Sequence, residues 1–175
     1  MSDTDIIRLA AETAAKTAIQ EYKKEVEKAA KESKNRKLRN TKLLLRNYRA
    51  LKAHAQNAVF DKATADENVV DILALMQGKE DAGTVVESIM RSATRTCLIL
   101  SHIDVMLAAY QKMCSRRPID QRRWNVIYAK YIAEEPLTDE QIAEKEFINP
   151  RTVHKDIDYA CSRLSALIFG IDAMR

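Results

Sequence analysis

Only three glycines and three prolines occur in this chain of 175 residues, and that scarcity constrains the fold more than any single motif. A sheet protein of this size needs many tight turns, and most turn types place Gly, Pro or Asn where the backbone angles are unusual. Helix formers (Ala, Leu, Lys, Glu, Arg and Gln) dominate instead, so the sequence predicts an all-α fold with few, short connections. With 46% hydrophobic residues, the chain can bury a substantial core as one large or two small domains. Gly78, Gly83 and Gly170 complete neither a GxGxxG nor a GxxxxGKS/T loop, which excludes the glycine-rich phosphate cradles.

The three cysteines, Cys97, Cys114 and Cys161, are odd in number, lack a CxxC pair and lie in apolar helical patterns. They read as reduced core cysteines of an intracellular protein. The longest uncharged runs, such as Thr96–Ile103 and Leu164–Ile171, are about eight residues, far short of the ~20 that span a bilayer. The opening MSDTDIIRLA lacks a basic region followed by an apolar one, so no secretion signal and no membrane partner are expected, and the predicted location is the cytoplasm.

Three parts follow along the chain. Residues 1–60 read as one or two long basic, amphipathic helices, with Ser2 or Asp3 as a cap and Asp3 and Asp5 at the positive end of the dipole. Ile19, Tyr22, Val26 and Ala29 form one helical stripe, and Leu44, Tyr48, Leu51, Ala55 and Ala58 another. Between them AKESKNRKLRNT is either a hinge or a solvated stretch of continuous helix. Residues 61–117 read as a helical bundle core. Asp66–Gln77 carries Val69, Val70, Leu73 and Met76 on one side, and Gly78 is placed to end it. Val86, Ile89, Ala93, Thr96, Leu100, Ile103, Leu107, Tyr110 and Cys114 then step alternately by 3 and 4, the pattern of a central bundle helix or of a coiled-coil seam, with flanking apolar residues favouring the bundle and Pro118 as its end.

The third part, 118–175, is sharply punctuated. Asp120 can cap a helix carrying Trp124, Ile127, Tyr128 and Tyr131, all expected in the core. Thr138-Asp139-Glu140-Gln141 matches a capping box. A short helix to about Glu146 is followed by Asn149-Pro150, an N-cap with Pro at the first helical position, and a last helix to about Phe169. Short helix, tight turn and longer capped helix together predict a helix-turn-helix. Ile142, Ala143, Ile148, Val153, Ile157, Ala160 and Leu164 supply its apolar side. Spaced at 100° per residue, they leave Arg151, Thr152, Lys155, Asp158, Tyr159 and Ser162 facing outward. Cationic and hydroxyl side chains on the first turns of an outward helix suit the reading of major-groove base edges. The bland reading is an ordinary helix pair with a solvated face.

LTDEQIAEKEFINPRTVHKDIDYACSRL resembles the helix-turn-helix of the promoter-recognising region 4 of bacterial sigma factors. With RRWNVIYAKYI before it and LSALIFGIDAMR after it, the match over about 118–175 more closely resembles the ArpU/RinA-like phage transcriptional regulators. A weaker likeness extends to RNTKLLLRNYRALKAHAQNAV, at 39–59. The resemblance implies a sigma-like activator of phage late, packaging or lysis genes. Arg151, Thr152 and Lys155 would then contact bases or phosphates near the start of the recognition helix, with Tyr159 and Ser162 beyond them. Phe147 departs from the pattern by standing four residues after Ala143, where the turn usually holds Gly.

Charge adds a second candidate surface. Residues 31–52 hold nine Lys/Arg against Glu32 alone, a local charge of +8 in a chain of net +4. Arg39, Lys42, Arg46 and Arg49 lie opposite Leu44, Tyr48 and Leu51, a stripe suited to phosphate contacts, as Arg122 and Arg123 also are. The same stripe also reads as a solvated face, one paired with the acidic 61–87 stretch, or one facing RNA polymerase or a second copy of the chain. His54, His102 and His154 lack ligand spacing and read as structural or exposed, so no metal or other cofactor is expected. No GxSxG, HExxH or repeated carboxylate motif appears, and no enzymatic activity is expected. The expected partner is double-stranded DNA. The two other classes that fit are a small-terminase-like packaging protein and a helical module that binds only protein.

Overall fold

The computed structural model describes residues 3–57, 72–74, 76, 89 and 93–170, and every element among them is helical. In chain order these are α1 (Asp3–Asn57), α2 (Ala93–Cys114), α3 (Pro118–Ile127), a π-helical turn (Tyr128–Ile132), α4 (Asp139–Lys145) and α5 (Pro150–Phe169). The expected all-α fold is observed. No helix among the described residues is long and apolar enough to cross a membrane.

α1 is a single helix of 55 residues, about 82 Å long at 1.5 Å per residue. The polar stretch at its middle is not a hinge, because its short polar side chains are bonded to backbone carbonyls. Thr41 Oγ1 donates to the Lys37 carbonyl at 2.9 Å, and the buried Asn40 amide donates to the Met76 carbonyl. Beyond it, Leu44, Leu45, Tyr48 and Leu51 are buried. The N-terminal half differs: every described side chain from Thr4 to Glu32 is exposed. The expected cap Ser2 and the side chains of Asp3 and Asp5 lie outside the described residues, as do Val69, Val70, Gly78, Val86, Ala58 and the acidic residues of 61–87.

α2 is the central helix. Thr96, Ile103, Leu107, Tyr110 and Cys114 of its stripe are buried, Leu100 is half-buried, and the helix packs against α1, α3 and α5. One apolar core runs from Leu44 and Leu45 through Ile99 and Ile103 to Ile127, Ile142 and Leu164, each such side chain contributing roughly 1.5–3 kcal/mol of transfer free energy. Cys114 and Cys161 are buried and Cys97 half-buried, all three as free thiols.

Three expectations need correction. α2 ends at Cys114, and Pro118 opens α3 instead of closing α2: Arg117 at the N-cap is extended (φ −139°), so the missing Pro N–H falls where no helical bond is lost. Asp120 does not cap α3; it sits within the first turn, where its carboxylate accepts from Arg123 Nη1 at 2.7 Å. Tyr128 is 48% exposed, whereas Trp124, Ile127 and Tyr131 are buried. From Tyr128 the helix continues as a wider π turn, within which Tyr131 is buried.

Candidate nucleic-acid interface

α4 and α5 are built by their caps. Thr138 Oγ1 accepts the Gln141 N–H at 3.3 Å while Gln141 Oε1 accepts the Thr138 N–H at 2.8 Å, completing the capping box read from the sequence. The end of α4 is a Schellman motif: the Ile148 N–H reaches the Ala143 carbonyl at 2.9 Å and the Phe147 N–H reaches that of Glu144 at 3.3 Å. Ile148, just past the turn, packs against the core that holds Ala143, the apolar contact typical of this motif. Phe147 occupies the left-handed position with φ 55°, and its side chain is 95% exposed. Asn149 Oδ1 then accepts the Arg151 N–H at 2.9 Å, and Pro150 fixes the first turn of α5.

Val153, Ile157, Ala160 and Leu164 of α5 are buried, so the helix presents the opposite face to solvent. Arg151, Lys155, Asp158 and Tyr159 are exposed there, and Thr152 and Ser162 are half-buried. Among the described residues, the Arg151 and Lys155 side chains have no ion-pair partner. His154, which the face-centring argument left out, is also outward, with 66% of its side chain exposed and Nε2 3.6 Å from Asp139 Oδ2. It lies 100° from Lys155 on a helical wheel, at the rim of the outward face, which is the signal that would have included it.

The other candidate cations divide into engaged and open. Arg122 Nε and Nη2 donate to Asp156 at 2.8 and 3.3 Å, and Asp156 is buried. Arg123 lies 3.5 Å from the same carboxylate through Nε, donates to Asp120, and stacks 3.6 Å over the Tyr159 ring. These two arginines are therefore joints between α3 and α5, with side chains only 27% and 18% exposed. Although burial disfavours the Arg123 charge, Asp120, Tyr159 and Asp156 hold its guanidinium above the usual range. Tyr159 is held from both sides, since Arg163 Nη2 donates to its hydroxyl at 3.2 Å.

Within the α1 stripe, Arg49 Nη1 donates to the carbonyls of Lys130 and Ala133 at 3.3 and 3.5 Å, so it caps the π turn. Lys42 Nζ donates to Asp158 Oδ1 at 2.6 Å, which brings α1 against the outward face of α5. Arg39 and Arg46 are exposed on the same side of α1, and Arg46 also lowers the charge cost of the buried Tyr131 phenol, which burial pushes up. Arg39 and Arg46 thus border α5 through the Lys42–Asp158 bridge, and that bridge neutralises the one acid on the outward face of α5. α4 adds one exposed cation, Lys145, against the exposed carboxylates of Glu140 and Glu144. The Glu140 carboxyl is held below its ordinary range by its own backbone N–H and the Thr138 hydroxyl.

No group of His, Cys, Asp and Glu among the described residues could hold a metal ion. No known protein-family model, curated protein or solved structure matches the chain.

Proposed function

We propose that the chain is a sequence-specific double-stranded-DNA-binding regulator of transcription, in which α5 enters the major groove. One observation carries the reading: α5 starts from the Asn149 cap with Pro150 at its first position and turns Arg151 and Lys155 outward, without internal partners among the described residues, while the neighbouring arginines are engaged in packing. Their amine and guanidinium groups can donate to guanine O6 and N7 or to phosphate. Because α4 exposes Glu140 and Glu144 against the one cation Lys145, the phosphate clamp is assigned to Arg39 and Arg46 of α1 instead of the first helix of the motif. The sigma-like resemblance adds a role at phage promoters and a contact with RNA polymerase.

The test begins with sequencing the DNA fragments that the chain retains at moderate salt. Binding to the recovered site should then be measured for Arg151→Ala with Lys155→Ala and, separately, Arg39→Ala with Arg46→Ala. The first pair should flatten sequence preference; the second should weaken all sequences alike and reduce the salt slope by roughly 2, near 0.9 per lost phosphate contact. If Arg151→Ala with Lys155→Ala binds the site as the unchanged chain does, with helix content intact, α5 is not a recognition helix.

A further inference from the structure

The exposed half of α1 carries more apolar surface than a solvated helix needs. Ile7, Tyr22 and Val26 are 68%, 69% and 49% exposed. They belong to one continuous stripe of small and apolar side chains: Ile7, Ala11, Ala15, Ala18, Tyr22, Val26, Ala29 and Ser33. The steps are 4, 4, 3, 4, 4, 3 and 4, so the pattern repeats every eleven residues: Ile7 aligns with Ala18 and Ala29, and Ala11 with Tyr22 and Ser33. That period is 3.67 residues per turn, close to a straight helix, so the stripe keeps to one side along the whole stalk. Small side chains at most positions let a second helix approach closely.

The edges of the stripe say what covers it. Glu21, Glu25 and Glu32 line one edge. Lys23 and Lys34 line the other, with Lys16 just behind. Glu21 and Glu32 are eleven residues apart, as are Lys23 and Lys34, so the charges keep step with the apolar repeat. Exceptions are Glu12 on the basic edge, with Glu27 behind it, and Lys28 behind the acidic one. When two copies of such a helix pack in parallel, the left edge of one meets the right edge of the other, and Glu21 and Glu32 come level with Lys23 and Lys34. In the antiparallel arrangement like edges meet, and carboxylates face carboxylates. The intrahelical Lys24–Glu21 pair does not stand in the way, since both side chains are well exposed, at 70% and 60%.

We infer that residues 7–33 of α1 form a parallel two-stranded interface with the same segment of a second copy of this chain. The inference does not depend on what the C-terminal unit binds. Light scattering on the full chain should give about 40 kDa, twice the 19.9 kDa of one chain. Val26→Lys should return it to a monomer with unchanged unfolding of the body, because the side chain lies outside the core. Glu21→Lys with Glu32→Lys should weaken the dimer about tenfold or more. Adding Lys23→Glu and Lys34→Glu to that variant restores opposite edges and should restore the dimer. Ala11→Cys and Ala29→Cys should each cross-link to themselves under mild oxidation, as only a parallel pair in register allows at both positions. A monomer at high micromolar concentration, a larger ring, a dimer indifferent to Val26→Lys, or cross-linking at only one of the two positions would overturn the inference.

Discussion

Phe147 offers a direct test of how the turn between α4 and α5 is held. A left-handed backbone costs an L-residue roughly 1–2 kcal/mol, which glycine does not incur. The side chain returns almost nothing. With 5% of its surface covered, it removes only ~10 Å² of a typical aromatic area from water, about 0.2 kcal/mol. Replacing it with Gly relieves the strain but gives the unfolded chain more freedom, an offset of ~0.5–1 kcal/mol. The net expectation for Phe147→Gly is a gain of about 0.5 kcal/mol, or a rise in Tm of roughly 1–2 °C for a chain of this length. Phe147→Ala is the control, because it removes the ring and keeps the strained Cβ; it should match the unchanged protein. Urea unfolding followed by circular dichroism, with the slope confirmed constant, measures both. A Gly variant no more stable than the Ala variant would show that the strain of the left-handed turn does not exceed the ~0.5–1 kcal/mol entropic offset of glycine, refuting the expected gain.

Asp156→Asn should cost ~2–3 kcal/mol, below the usual loss for a broken buried pair because solvent reaches Arg122 and Arg123, and the same urea midpoints would show it. Thr138→Ala removes one half of the capping box and should cost about 1 kcal/mol, whereas Thr138→Ser keeps the capping hydroxyl and should leave stability unchanged. Burial pushes the Cys161 thiol from its ordinary value near 9 to about 12. Its protonated form is therefore favoured by folding, so this contribution to stability is whole below pH 9 and declines as pH rises from there towards 12; unfolding midpoints at pH 8 and 10.5 should differ in that sense. Alkylation of the native protein at pH 8 should mark Cys97 first, and label at Cys114 or Cys161 ahead of it would contradict their burial.

The helices were legible wherever local chemistry decides the structure. The capping box at Thr138, the Asn149-Pro150 start and the periodic apolar residues of α2 and α5 are short-range signals, and the structure uses each of them. The continuity of α1 was not legible, because the polar stretch that ends in Asn40 and Thr41 reads equally as a hinge until their carbonyl partners are known. The roles of Arg122 and Arg123 were hidden for a related reason: a guanidinium beside a groove-reading helix and one that bonds a buried carboxylate look alike until Asp156 is placed between them. The π turn left no signature, and the exposure of Tyr128 does not follow from its helical spacing to Trp124 and Ile127. Phe147 was readable as an anomaly from the residue type, while the φ of 55° and the exposure of its ring required coordinates.

α1 also has a mechanical meaning. It runs unbroken from a solvent-exposed end, through the core contacts of Leu44 and Leu51, to Arg49, which grips the π turn, and Lys42, which grips α5. A helix without a joint transmits rotation along its length. No loop therefore separates the exposed end of α1 from the residues that hold the π turn and the outward face of α5.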